Sequence, residues 1–256
     1  MCSKILEKII YKQIVEALGE NCIYKYQYGF QKGIGTNEAI RELVDDLRKN
    51  IHSGNINVGI FIDFKKAFDT VDHHILLKKL KGYGFIGNAH KWIHNYLHGR
   101  KQVVMINNTL SSNQSVRIGV PQGSILGPLL FLLYINDIKD HIFEGKLRLF
   151  ADDTNIFYNG TDHADITGKI QSDINRLDLW LRNNKLTVNL AKCNYIIIKS
   201  PNKRIPAMNL LLQNSVLERS ETVKYLGVLF DQHLTYNLTL SIFVRKLVPV
   251  LVSLQE

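Results

Sequence analysis

Residues 147–157 read Leu-Arg-Leu-Phe-Ala-Asp-Asp-Thr-Asn-Ile-Phe: an apolar strand, two adjacent carboxylates, and a second apolar strand. Neighbouring side chains on a strand face opposite sides of a sheet, so consecutive Asp residues gain nothing within one. At the tip of a hairpin, a turn tolerates Asp and can aim one carboxylate into a cleft. A solvated Asp-Asp turn is the plain alternative. A second stretch decides between them. Residues 58–69 read Val-Gly-Ile-Phe-Ile-Asp-Phe-Lys-Lys-Ala-Phe-Asp, an apolar strand that ends on Asp63. Two such strands side by side would bring Asp63 and Asp152 together, with Asp153 close by. Clustered carboxylates repel and raise one another's pKa, which is costly without a cation. Hard oxygen ligands suit Mg²⁺, and a pair of Mg²⁺ ions can clamp both oxygens of an in-line phosphoryl displacement.

The charge of the chain agrees with a polyanionic partner: the formal net charge is +9 and the isoelectric point about 9.3. At 256 residues, 45% hydrophobic and 21% charged, the chain is globular and long enough for one large domain or two subdomains. Its three cysteines, Cys2, Cys22 and Cys193, are an odd number without metal-ligand spacing, so neither a disulfide framework nor a zinc site is implied. With a charged, amphipathic N-terminus, no signal peptide is expected. The longest uncharged run, 118–136, carries two prolines and reads as loop and helix rather than membrane span. An intracellular setting, in nucleus or cytoplasm, is expected.

Beside the stretches around Asp63 and Asp152 stand Gly119-Val-Pro-Gln122-Gly-Ser and Tyr225-Leu-Gly-Val-Leu-Phe-Asp231, and the four segments together resemble the reverse transcriptases of non-LTR (LINE-type, jockey-like) retrotransposons. Phe150-Ala-Asp152-Asp153 resembles their metal-binding box, and Phe61-Ile-Asp63-Phe-Lys-Lys-Ala-Phe68-Asp-Thr-Val-Asp-His resembles their first palm motif. Gly119-Val-Pro-Gln122-Gly-Ser-Ile-Leu-Gly-Pro-Leu resembles the second, and Tyr225-Leu-Gly-Val-Leu-Phe-Asp231 the primer-grip box. One box is weak because Asp-Asp pairs are common; four in one order are specific.

The resemblance implies an α+β right-hand polymerase fold, with fingers at about 1–57 and 73–116 and palm at about 58–72 and 117–231. Residues 232–256 would begin a truncated thumb, with Ile242, Phe243, Leu247 and Val250 on one helical face. The chain would then be a fragment or partial gene product of a longer polyprotein. The implied activity is RNA-directed DNA synthesis from a primer 3′-hydroxyl and deoxynucleoside triphosphates, on an RNA template with a DNA primer. Asp63, Asp152 and Asp153 would be catalytic and metal-ligating, with two Mg²⁺ ions as cofactor and Mn²⁺ an alternative. Phe64, Phe68, Gln122, Gly123, Lys32 and Lys192 would meet the nucleotide, and Tyr225, Leu226 and Gly227 would form the primer grip.

Each implied role has a plainer counterpart in the residues themselves. Phe68 would sit under the incoming sugar and exclude a 2′-hydroxyl, or it is a core aromatic. Gln122 would hydrogen-bond the nucleotide, or satisfy loop amides. Lys192 would lie near the leaving pyrophosphate and donate a proton, or sit on the surface. Where the family has Arg directly after a Gly-Phe pair, this chain has Gln31, with Lys32 next. That departure keeps a catalytically inactive nucleic-acid-binding fragment open. An RNA polymerase or nucleotide cyclase on a similar palm is the third class, opposed by Phe68 and the Tyr225–Asp231 box.

Local signals place these motifs. Residues 3–18 have a helical apolar period, and Tyr24–Thr36 is an aromatic, glycine-rich loop with two lysines, suited to stacking bases and pairing phosphates. Thr36 is expected to cap the next helix and Asp72 to cap another through Leu80, which makes Asp69 and Asp72 structural. A helix is expected over 88–98, then one hairpin with strands 102–106 and 115–119 around a polar turn at 107–114. Pro128 opens a helix to about Ile138, an amphipathic helix spans Asp165–Leu181, and a strand runs Cys193–Lys199. His73 and His74, adjacent on a helix, do not share a face and read as ordinary histidines.

Overall fold

A computed structural model describes residues 2–19, 21–201 and 203–235. The first helix, α1 (Cys2–Leu18), buries Ile14 and Glu7. The Glu7 carboxylate accepts the backbone N–H groups of Ile125 (2.8 Å) and Leu126 (3.4 Å). Those donors begin a later helix, where unpaired N–H groups favour an anion. Helix α2 (Thr36–His52) buries Ala39, Leu43 and Leu47. Its N-cap is Gly35 rather than Thr36, because Glu38 Oε2 accepts the Gly35 N–H at 2.9 Å and draws the cap upstream.

Strand β1 (Ile56–Ile62) follows, then a 3₁₀ turn at Ala67–Asp69. Helix α3 (His73–Gly82) starts where expected, with Asp72 Oδ1 accepting the Ile75 N–H at 3.0 Å. After α4 (Gly87–Leu97), the expected single hairpin is two short ladders. Strands β2 (Lys101–Gln102), β3 (Met105–Ile106), β4 (Thr109–Leu110) and β5 (Gln114–Ser115) pair β2 with β5 and β3 with β4. Asn107 and Asn108 carry positive φ (47° and 64°) and close a two-residue turn that matches strand twist, so the polar turn is shorter than 107–114.

Helix α5 (Leu126–Ile135) is buried at every position except Pro128. A helix that is apolar all round belongs inside the molecule, which is why no membrane is needed to explain its sequence. Strands β6 (Lys146–Phe150) and β7 (Asp153–Gly160) form the acid-tipped hairpin. Helix α6 (His163–Asn183) is capped by Asp162 and buries Ile166, Ile170, Ile174, Leu177, Trp180 and Leu181. Its buried Asp173 ties down the loop before β6, accepting the N–H groups of Phe143 (3.0 Å) and Gly145 (2.9 Å). Strands β8 (Asn194–Ile198), β9 (Leu211–Leu212), β10 (Ser215–Val216), β11 (Glu218–Arg219), β12 (Thr222–Tyr225) and β13 (Val228–Asp231) complete the fold.

The main sheet has the order β11-β8-β1-β7-β6, with β1 antiparallel to both neighbours. Side-chain alternation gives it two apolar faces. Ile56, Val58, Ile60 and Ile62 join a cluster with Phe131 of α5 and Ile174 and Trp180 of α6. Ile196, Ile198 and Phe157 turn the other way, onto Leu43 and Leu47 of α2 and onto Tyr225 and Phe230 of the β12–β13 hairpin. A strand covered on both faces reads as a continuous apolar run, as β1 does. The expected apolar face Ile242, Phe243, Leu247 and Val250 lies outside the described residues. No described helix is long and apolar enough to cross a membrane.

Candidate active site

Strand pairing fixes the acids. The β1–β7 register runs from Ile56↔Gly160 to Ile62↔Thr154. One further step sets Asp63 level with Asp153, so the carboxylate across from Asp63 is the second of the pair. Asp152 occupies the turn before β7, beside Ala151, whose φ is +53°. The three still form one electrostatic group. Asp153 opens to a cleft, yet protein around its carboxyl displaces water, and the charges of Asp152 and Asp63 add to that. Together they push its pKa up.

The end of β1 is braced from one side by the segment between α6 and β8. Asp63 C=O accepts the Asn189 N–H (2.7 Å), and Lys65 N–H donates to Thr187 C=O (2.8 Å). Buried Cys193 lies against the same backbone, with the Asp63 N–H 3.5 Å from its Sγ. Burial raises the Cys193 thiol pKa, so it is a packing group. Lys192 Nζ lies 3.8 Å from Asp63 Oδ2. Asp63, Asp153, Asn155 and Lys192 share a cleft of about 380 Å³ with Lys224 and Leu226 of the β12–β13 hairpin. Among the described residues no three His, Cys, Asp or Glu side chains are arranged to hold a metal ion on their own.

The aromatic loop lies against β6 on the other side of the acid-tipped hairpin. Tyr28 N–H donates to Leu149 C=O (2.8 Å) and Leu149 N–H to Tyr26 C=O (2.9 Å), laying the loop along the outer edge of β6. Gln27 is buried there and hydrogen-bonds Ala151. Phe30 projects to solvent and meets Phe68 edge-on, centroids 5.9 Å apart. Lys32 is exposed, while Gln31 Nε2 donates back to Gln27 C=O. Gln31 is therefore engaged in holding the loop.

Phe68 is half-buried and stacks on Phe131 of α5, centroids 4.2 Å apart and planes 24° apart. It is a core contact whose ring stays partly open beside the exposed Phe30. Phe64 is 6% exposed within the core, so its side chain packs and is not open to a nucleotide. Gln122 is exposed and its Nε2 donates to Asp69 Oδ1 at 2.7 Å. Gly123 holds φ +74° with open space around its Cα. Asp69, expected to be structural, is an exposed carboxylate that accepts this bond from Gln122. Gln122 and Asp69 border a second cleft of about 670 Å³ that also takes Lys66, Arg100, Lys101 and Arg117. Arg100, Lys101 and Arg117 were missed because isolated basic residues around a hairpin carry no pattern. Tyr225 is buried, and the tip of its hairpin is the half-buried Leu226 and the exposed Gly227, with φ +47° and +91°.

The family described as Reverse transcriptase (RNA-dependent DNA polymerase) matches residues 1–230. The chain is 30% identical over 240 residues to a probable RNA-directed DNA polymerase from transposon X-element of Drosophila melanogaster, covering 92% of this chain and 26% of that protein. It is 26% identical over 242 residues to the RNA-directed DNA polymerase from mobile element jockey of the same species, covering 91% and 26%. The chain thus spans about a quarter of the length of these curated relatives. Among solved structures, telomerase from Candida tropicalis with a fragment of telomeric RNA superposes with a TM-score of 0.61 at 13% identity, over 91% of this chain and 36% of that one. Apo telomerase from the same organism gives 0.59 at 13%, over 90% and 40%. At that identity the likeness is one of fold: the right-hand polymerase fold, built of mixed helices and sheets.

Proposed function

This chain belongs to the reverse transcriptase family, and on that premise we propose that it is the polymerase portion of a non-LTR retrotransposon protein, copying RNA into DNA. The reaction would join a deoxynucleoside triphosphate to a primer 3′-hydroxyl, with RNA as template. The observation that carries this reading is the step of register that sets Asp63 across from Asp153, with Asp152 in the adjoining turn. Three carboxylates with one lysine near them form a site that favours added positive charge; burial first, and then the charges of Asp152 and Asp63, raise the pKa of Asp153.

The donor set fits divalent metal, which this family generally uses. Asp63, Asp152 and Asp153 would hold two Mg²⁺ ions, or Mn²⁺, with further oxygens supplied by the triphosphate. Held by these carboxylates, such ions would supply a lowered pKa for the attacking hydroxyl and compensation for charge on the leaving group. The chain's own residues do the rest. Phe68, fixed by Phe131, backs the sugar of the incoming nucleotide. Gln122 and Gly123 line its approach, Lys32 and Lys192 face its phosphates, and Leu226-Gly227 presents the primer end. In this reading α1, α2 and the 73–116 segment serve as fingers, and the sheet with α5 and α6 as palm.

Primer extension on an RNA template with Mg²⁺ tests the reading, comparing the parent chain with Asp63→Asn and Asp152→Asn. Loss of a metal-binding carboxylate is expected to lower the rate roughly a thousandfold or more while the fold survives. Activity within tenfold of the parent in either variant rejects the metal assignment. An inactive parent chain that still binds RNA supports a nucleic-acid-binding fragment instead.

A further inference from the structure

The geometry points to Gln27 as the residue that positions the catalytic turn, a role that rests on the polymerase reading above. Gln27 is 1% exposed and lies in the aromatic loop, 124 residues from the turn it touches. Its Oε1 accepts the Ala151 N–H at 2.9 Å, and its Nε2 donates to the Ala151 C=O at 3.3 Å. A third bond, from the Gly29 N–H to the same Oε1 at 2.9 Å, fixes the amide.

The two contacts at Ala151 are not equivalent. Its N–H belongs to the peptide plane shared with Phe150, and its C=O to the plane shared with Asp152. Holding both planes fixes both dihedrals of Ala151. That residue needs such support, because φ +53° is a conformation side chains with a Cβ rarely adopt. Asp153 is held by the β6–β7 ladder, through Phe150↔Asp153. Asp152 lies outside that ladder, so the backbone of Ala151 sets its direction. Residue 29 completes the device: a Cβ there would collide with the Ala151 backbone, so only glycine lets the loop approach this closely. Gln27 touches no substrate; it acts through Ala151 on Asp152.

Two variants of the whole chain test this, Gln27→Met and Gln27→Glu. Methionine keeps the volume and removes all three bonds. Glutamate keeps both acceptor contacts, but when ionised it repels the Ala151 carbonyl; protonated, it donates to that carbonyl as Gln27 does. In Gln27→Met, amide hydrogen exchange at Ala151 is expected to speed up at least tenfold, with Ile60 and Ile156 unchanged. Primer extension should show kcat down tenfold or more, with KM for the nucleotide within about twofold. In Gln27→Glu, kcat relative to the parent should rise as pH falls, whereas the Gln27→Met ratio stays flat.

Unchanged Ala151 exchange overturns the clamp. Faster exchange with unchanged kcat overturns its role in positioning Asp152. If Gln27→Met fails to fold, the pH trend of Gln27→Glu decides, and a flat ratio rejects the proposal. If the parent chain shows no polymerase activity, the functional reading fails by itself, and Ala151 exchange alone judges the clamp.

Discussion

Lys192 sets its Nζ 3.8 Å from Oδ2 of Asp63, joining the segment after α6 to the end of β1. The lysine is 68% exposed, and exposed pairs contribute about 0–1 kcal/mol. Lys192→Gln should therefore leave thermal unfolding almost unchanged. If Lys192 protonates the leaving pyrophosphate, the same variant loses roughly 10²–10⁴ in kcat, with nucleotide KM within about threefold. Steady-state primer extension measures both, and an unaltered kcat returns Lys192 to the surface.

Asp46 anchors α2 to β6. Burial opposes its charged form, but hydrogen bonds from Lys146 and Arg148 outweigh that and hold its carboxyl below the usual range. A carboxyl with a depressed folded-state pKa contributes stability that is present above its ordinary pKa of about 4 and lost as pH falls through the depressed value. Asp46→Asn should flatten this acid loss in unfolding curves. It should also destabilise at neutral pH by about 2–3 kcal/mol, because Arg148 is fully buried. The figure lies below that for a sealed pair because Asp46 is a third exposed and Glu42 stays 3.7 Å from Arg148.

Phe68→Ala has two expected outcomes, because its ring serves two neighbours. Loss of the stack on Phe131 should destabilise by about 2 kcal/mol, less than for a fully buried ring. As a steric gate, its loss should narrow the deoxy- over ribonucleotide preference by roughly 1–3 kcal/mol. Competing incorporation of the two nucleotides reads the second effect. An unchanged ratio in an active variant leaves Phe68 as packing alone.

Tyr225 offers a test of what its hydroxyl does. Its ring packs edge-on to Phe157 and Phe230, centroids 6.4 and 6.1 Å away. Its hydroxyl is buried with no hydrogen-bond partner among the described residues, and burial pushes its pKa up to about 12. A buried, unpaired hydroxyl is unfavourable by about 1–3 kcal/mol. Tyr225→Phe should therefore be neutral or stabilising in chemical denaturation, and primer extension should persist. A large loss of activity with intact stability would give the hydroxyl a direct part in holding the primer.

The sequence was most legible where a local pattern decides the structure. Asp72 caps α3 because a cap needs only its own next three residues, and the acid pair announces a turn for the same reason. Long-range relations were hidden. Which Asp lies level with Asp63 depends on a register set by the whole β1–β7 ladder, which no local spacing gives. Phe64 turns into the core because the chain leaves β1 by bridging to Val188, a partner no spacing indicates. Gln27 and Asp69 have no partner that local spacing indicates; each gains meaning from one distant residue, Ala151 and Gln122. Gly35 displaced Thr36 as cap because Glu38 reached its N–H, a competition between neighbours that composition does not rank.

The loop laid along β6 has a consequence for how copies of the protein behave together. A bare sheet edge is a row of unpaired N–H and C=O groups, able to recruit a strand from another molecule. Residues 26–28 hydrogen-bond along the outer side of β6 at Leu149, and the opposite margin ends in the two-residue strand β11. Neither margin offers a long template for another chain. Deleting 24–30 would therefore uncover that stretch of β6 as well as remove the loop. Light scattering of such a variant should show concentration-dependent self-association, where the parent chain disperses.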